Sequence, residues 1–264
     1  MSGFGQQRGG RDTQIPLPEC PLCYNPAFVL KSPVEKQDSR LMRDMFSTIA
    51  PKYNLITRVF SWGMDQRWKR LAVRRAMLPA RAEVLDLACG TGDFAKLVAQ
   101  QSAESHIVGA DLTVRMLRMS KLRQTVCADA AALPFPTDCF DAVFVGYGLR
   151  NFPCLEAAIA EVHRILRPGG VLVSLDFFLP SHRWLRRFYL AYLYTQGAFW
   201  GMILHWRARV YTYIPDSLRG FLSAKEFSML LEKMQFSGVT ALPFILGGIA
   251  VHWARKRSGP DTAI

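Results

Sequence analysis

Between Val84 and Asp93 the chain reads Val-Leu-Asp-Leu-Ala-Cys-Gly-Thr-Gly-Asp. Two carboxylates, Asp86 and Asp93, bracket a turn made of Gly90, Thr91 and Gly92. Glycines there permit a tight turn and close backbone approach at the carboxyl end of a strand, where open α/β sheets bind ligands. Asp111 closes the next apolar run, 19 residues after Gly92. A carboxylate at that place can accept hydrogen bonds from both hydroxyls of a ribose. Asp129 and Ala130 follow a third apolar run; the acid fits an exocyclic amine and the alanine leaves room for a purine. The plainer role for Asp129 is that of a turn residue.

Two classes of cofactor suit such a strand–turn–helix. Gly90-x-Gly92-x-x-Ala95 satisfies a loose dinucleotide fingerprint, with Asp111 at the expected distance. Charge separates the alternatives. A pyrophosphate wants backbone N–H groups and a positive helix end. Asp86 and Asp93 would oppose it, since unit charges 4 Å apart interact by roughly 4 kcal/mol at an effective dielectric near 20. S-adenosylmethionine carries an ammonium and a sulfonium and no phosphate, so the same carboxylates favour it. The expected cofactor is therefore the methyl donor.

The elements around these residues alternate. Strands are expected at Glu83–Ala88, His106–Ala110, Thr125–Ala128, Phe140–Val145 and Val171–Phe178. Helices are expected at Phe94–Gln101, Val114–Met119 and Leu155–Leu166, the last stopped by Arg167-Pro168-Gly169-Gly170. This alternation implies a parallel sheet covered on both faces. A long aromatic helical stretch runs from Pro180 to about Trp206, a further helix from Ser223 to Met234, and two strands flank Gly247-Gly248. Ser39 to Leu78 is helical, with Arg67, Lys69, Arg70, Arg74 and Arg75 reading as a solvated basic face over Trp68, Leu71 and Val73. The expected organisation is a disordered tail over 1–37, a helical N-terminal lid over 38–80, a cofactor-binding core over 81–180, and a helical insertion with the closing strands over 181–264.

Lysines and arginines number 33 against 21 acids, for a net charge of +12. Such a balance suits anionic partners, nucleic acid or membrane surface, without choosing between them. Six cysteines without small-scaffold spacing suit a reducing compartment, and Cys20/Cys23 lack the second pair a zinc site needs, so no metal is expected. Phe188 to Trp206 carries no charge but includes Thr195, Gln196, Gly197, Gly201 and His205, which favours a buried or interfacial helix over a membrane span.

Longer blocks carry a resemblance. Met45-Phe46-Ser47-x-Ile49-Ala50-x-Lys52-Tyr53-Asn54 and Ser61-Trp62-Gly63-Met64-Asp65-Gln66-Arg67-Trp68-Lys69 resemble the N-terminal signature of the ubiquinone/menaquinone C-methyltransferases. Gly148-Leu149-Arg150-Asn151-Phe152, Arg164 to Gly170, Tyr211-x-Tyr213-Ile214-Pro215-Asp216-Ser217 and Gly247-Gly248-Ile249-Ala250 are similar to the family's later blocks. The match covers about residues 40–256. Gly146, at a cofactor-contact position, stands where serine is common, and Leu246 where threonine is usual. The resemblance implies a Rossmann-like class I methyltransferase: a mostly parallel seven-stranded sheet with an antiparallel edge, and N-terminal and inserted helices forming a lid.

It also implies a reaction, methylation of a ring carbon in a prenylated quinol. A neutral aromatic carbon is a poor nucleophile, so the protein must stabilise an adjacent phenolate, align the ring and remove a proton. Residues proposed to do this in the family map to Arg150, Tyr53 and Asp111. Arginine stays protonated, so Arg150 is expected to stabilise the phenolate, the alternative being a structural ion pair. Tyr53, Asn151 and Tyr211 complete the expected substrate side. The aromatic stretch Trp184–Trp206 would wall an isoprenoid tail, and with the basic N-terminal helices would dock transiently on the anionic inner face of the cell membrane. A homodimer is left open and no nucleic-acid partner is expected. The rival readings are an RNA methyltransferase, a non-catalytic scaffold and a dehydrogenase.

Overall fold

The computed structural model describes residues 57–58, 60–205 and 209–258. The expected tail, the lid as far as residue 56, Tyr53, and Cys20/Cys23 lie outside the described residues.

Helix α1 (Asp65–Ala76) buries Trp68, Ala72, Val73 and Ala76, one face by their spacing. It ends at Met77, whose left-handed φ of 50° precedes Pro79, a residue that cannot continue a helix. Then come β1 (Glu83–Leu87), α2 (Asp93–Gln101), β2 (His106–Asp111), α3 (Val114–Ser120), β3 (Thr125–Cys127) and β4 (Phe140–Gly146). A 3₁₀ turn at Leu149–Asn151 leads to α4 (Leu155–Ile165) and β5 (Leu166–Phe177). Helices α5 (Arg183–His205), α6 (Arg209–Leu218) and α7 (Ala224–Lys233) precede β6 (Phe236–Phe244), a second 3₁₀ turn at Ile245–Gly247, and β7 (Ile249–Lys256).

The strands form one seven-stranded sheet ordered β3-β2-β1-β4-β5-β7-β6. All pairings among β1 to β5 are parallel, and β7 runs antiparallel to both neighbours. Alternation along the strands fills two cores. Val84, Ala142, Phe144, Val173 and Val251 pack under α1, α2 and α5, while Leu85, Val143, Val145, Leu172 and Ala250 pack under α4 and α7. α7 starts at a complete capping box: Ser223 Oγ accepts from Glu226 N–H, and the Glu226 side chain accepts from Ser223 N–H.

Two local expectations change. Arg167-Pro168-Gly169-Gly170 is not a separate turn ahead of the strand. Leu166 already pairs with Phe140, pairing resumes at Val171 opposite Ala142, and the four residues between bulge outward. Gly169, at φ +79°, provides the left-handed position. The basic face of α1 is not all solvated either. Arg67, Arg70, Arg74 and Arg75 are exposed, but Lys69 is buried, because two carboxylates meet it there. No helix among the described residues is long and apolar enough to cross a membrane.

Candidate active site

The carboxyl ends of β1, β2 and β4 surround a cleft open to solvent. Asp111, Met116, Asp129, Ala130, Gly146 and Asn151 are among its walls, with Gly90 at the glycine turn. Strand order reverses between β1 and β4, and such switch points open a crevice at the strand ends.

The glycine turn is held by short contacts. Ala88, Gly90 and Gly92 all have positive φ, at 53°, 52° and 77°. Gly92 N–H reaches Cys89 O at 2.7 Å, and Gly92 forms the left-handed N-cap of α2. On the facing wall Tyr147 is also left-handed, at 58°. Two side-chain-bearing residues in this region, one at the end of β1 and one at the end of β4, mark backbone shaped for a ligand at a cost of order 1–3 kcal/mol each. Between them, a Cβ on Gly148 would lie 2.7 Å from Ala88 Cβ, so only glycine lets the two walls approach.

The sequence-predicted residues separate here. Asp111 reaches the cleft. Its Oδ2 accepts from Gly90 N–H at 2.9 Å and its Oδ1 from Thr113 N–H at 2.8 Å. The Thr113 side chain hydrogen-bonds it as well, so of a carboxylate's roughly four lone-pair directions about one is left for a ligand. Burial raises its pKa, opposed by those two amides. Asp129, Ala130, Gly146 and Asn151 also line the cleft.

Asp86 and Asp93 do not wall the cleft. Asp86 lies beneath it, fully buried, and takes the Ala95 N–H at 2.9 Å, one of the unpaired amides at the start of α2. Burial pushes its pKa up to about 8, so near neutrality this carboxyl holds its proton. Asp93 receives Lys69 Nζ at 2.7 Å and Gln66 at 3.2 Å. Burial disfavours its charge, but Lys69 and Lys96 outweigh that and hold its pKa low. The acids that flank the loop in sequence are thus absorbed within the fold, one by protonation and one by Lys69. The negative character of the cleft comes from Asp111 and Asp129. Thr91 is buried in the turn itself.

Arg150 is likewise turned inward. Its guanidinium pairs with Asp176 at 2.5 Å, donates to Tyr147 O at 3.0 Å and lies over the Phe177 ring. Asp176 also accepts from Leu149 N–H at 2.8 Å. The pair pins the 3₁₀ turn from below, and Asn151, the next residue, faces the cleft. Asn151 donates to Tyr147 O and accepts from the Tyr213 hydroxyl. Burial pushes the Tyr213 pKa up to about 12, so this hydroxyl keeps its proton. For Tyr211 only the helical backbone is described; Tyr213 is the tyrosine of that block that meets Asn151.

Sequence reasoning missed Lys69, Tyr147, Asp176 and Tyr213. Asp176 had a visible signal, as an acid near the end of a strand like Asp111. Lys69 closes the second N-terminal block, but by charge alone it is one cation in a run of them.

A sheet of this order with one reversed strand, and a glycine turn facing a strand-end aspartate, place the chain in the fold of the class I methyltransferases. A solved methyltransferase from Thermotoga maritima, titled a possible histamine N-methyltransferase, superposes with a TM-score of 0.57 at 21% identity, over 82% of this chain and all of its own. The family model described as the ubiE/COQ5 methyltransferase family matches residues 34–256, and the chain belongs to that family. A demethylmenaquinone methyltransferase of Thermus thermophilus is 37% identical over 75% of this chain and 97% of its own length. A ubiquinone/menaquinone biosynthesis C-methyltransferase of Desulfotalea psychrophila is 36% identical over 80% and 89%.

Proposed function

We propose that this enzyme methylates a ring carbon of a prenylated quinol in quinone biosynthesis. The observation that carries the reading is the agreement between those relatives, matched over nearly their whole length, and a cleft whose far wall offers polar groups to a ring. The residues present fit the cofactor. Asp111 would take the ribose hydroxyls, Asp129 the adenine amine beside Ala130, and the backbone from Ala88 to Gly92, with Gly146, would leave room for the rest. When bound, S-adenosylmethionine supplies a methyl group activated by the sulfonium.

The chain's own residues would prepare the acceptor. Asn151, fixed by Tyr147 O and Tyr213, presents a carboxamide at the cleft wall for a ring oxygen. Tyr213, kept neutral by burial, tunes that carboxamide rather than acting as a base. Arg150 acts as a positioning residue: paired with Asp176, it holds the turn that carries Asn151. Tyr53, outside the described residues, is retained as a ring or cofactor contact on the resemblance alone. The lipid substrate would be collected at the inner face of the cell membrane.

Purified protein given labelled S-adenosylmethionine and a demethylated naphthoquinol or benzoquinol should place the label on ring carbon. Tyr213→Phe should lower kcat about fivefold with cofactor affinity unchanged, the scale of one hydrogen bond. Label appearing on RNA, or on none of these acceptors, defeats the proposal, as does an unaltered quinone profile in cells lacking the gene.

A further inference from the structure

Helix α5 carries no acidic residue. Its arginines, Arg183, Arg186 and Arg187, all lie at its start. Arg186 donates to Pro180 O at 2.7 Å and reaches Glu226 at 3.8 Å, while Arg183 and Arg187 are exposed. Trp184, Phe188, Ala191, Thr195, Phe199 and Met202 follow helical spacing and are all exposed, forming one outward stripe. The opposite side holds Tyr189 and Leu193 in the core. Trp184 and Phe188 are 64% and 68% exposed and touch edge to face. The outward rings therefore face away from the core beneath α5.

A second apolar knob stands nearby. Leu246 is 77% exposed. It is presented by a turn in which Ile245 and Leu246 both hold left-handed φ, 47° and 54°. For a β-branched residue such a value is a true outlier. Strain spent on pushing a leucine into solvent gains nothing inside the protein. His182 and Leu185, on either side of Arg183 and Trp184 in the chain, border one groove with Leu246 and Lys225, which brings the start of α5 beside the Leu246 turn. That edge lies at the cofactor end of the sheet. Phe177 and Phe244, ending β5 and β6, both pair with Ile249, and Leu175 pairs with Gly146 at the cleft.

We propose that Trp184, Phe188 and Leu246, with Arg183, Arg187 and Lys225, form an edge that docks on an anionic lipid bilayer. The proposal deepens the reading above, resting on a lipid substrate for its purpose. Aromatic and leucine side chains enter the headgroup boundary while the cations meet lipid phosphates. Glu226, next to Lys225, is already engaged by Ser223 and Arg186. A second copy fits less well, because a two-fold contact sets this cationic patch against itself on chains of net charge +12.

The test is flotation of the full chain, without quinol, on phosphatidylcholine vesicles and on vesicles with about one-third phosphatidylglycerol, across a salt series. Binding should require the anionic lipid and weaken with salt. Leu246→Glu and the double variant Trp184→Ser/Phe188→Ser should each lower partitioning at least tenfold, with calorimetric affinity for S-adenosylmethionine held within twofold. Absence of flotation at low salt overturns the proposal. So does unchanged flotation of both variants, which places the contact elsewhere. A dimer split by Leu246→Glu, with vesicles ignored, gives the edge to a second copy instead. Flotation that persists when no quinol is methylated leaves the docking standing and sinks the function.

Discussion

The two ends of the sheet are built on different principles. Around β1, β2 and β4 the chain uses backbone, glycine and short side chains, and every charge near the turn is engaged: Asp86 by an amide, Asp93 by Lys69, Asp111 by Gly90 and Thr113. Around β5, β6 and α5 it uses large aromatics, tyrosine hydroxyls and an exposed apolar stripe. The first end is shaped for one ligand and tolerates little change. The second leaves large apolar side chains such as Trp184, Phe188 and Leu246 in solvent.

The sharpest break of that contrast falls where the two ends join. Arg150→Ala would leave Asp176 buried and unpaired, a loss of about 3–5 kcal/mol in unfolding free energy. Denaturant titration checks it, and turnover should fall with it because the 3₁₀ turn loses its anchor. A midpoint equal to wild type would show that the pair does not fix the turn.

Acid should divide the two ends next. In an unfolded chain His252 gains a proton near pH 6.5, but burial beside Phe178 and Phe227 delays this to about pH 4. Between those values the unfolded chain binds more protons, so stability falls as pH drops, by roughly 3 kcal/mol in all. Asp86 has the opposite sign. It keeps its proton in the folded protein up to about pH 8, so its share of stability declines as pH rises from about 4 to 8. Stability–pH curves of His252→Phe and Asp86→Asn, each subtracted from wild type, should therefore slope in opposite directions. Parallel differences would remove the assigned causes.

Gly148→Ala adds one methyl 2.7 Å from Ala88 Cβ, in a wall without a flexible neighbour to yield. Affinity for S-adenosylmethionine should fall on the order of a hundredfold, or about 2.7 kcal/mol, by calorimetry. Phe199→Ala removes a whole ring from the outward stripe, yet should shift unfolding by no more than about 0.5 kcal/mol. A larger cost there would mean that the stripe is packed, and would blur the contrast.

Legibility followed the same division. Strand positions came from runs of apolar residues such as Val84–Leu87 and Phe140–Val145, and the cofactor turn from glycines that only a left-handed backbone requires. The bulge at 167–170 was misread as a turn because proline and glycine signal both. Composition places the aromatics on α5 but does not distinguish the inward ones, such as Tyr189, from the outward ones, such as Phe188.

By itself the sequence determined the alternating fold, a closing pair of strands about Gly247-Gly248, a glycine turn at a strand end and Asp111 at the end of the next strand. These are local in origin, set by hydrophobic period and by turn residues a few positions apart. Only tertiary structure decided which charges are spent and which face the ligand. Lys69 meets Asp93 across 24 residues, Arg150 meets Asp176 across 26, and Tyr213 meets Asn151 across 62. A charge is neutralised by whatever packing brings within about 3 Å, and distance along the chain says nothing about that.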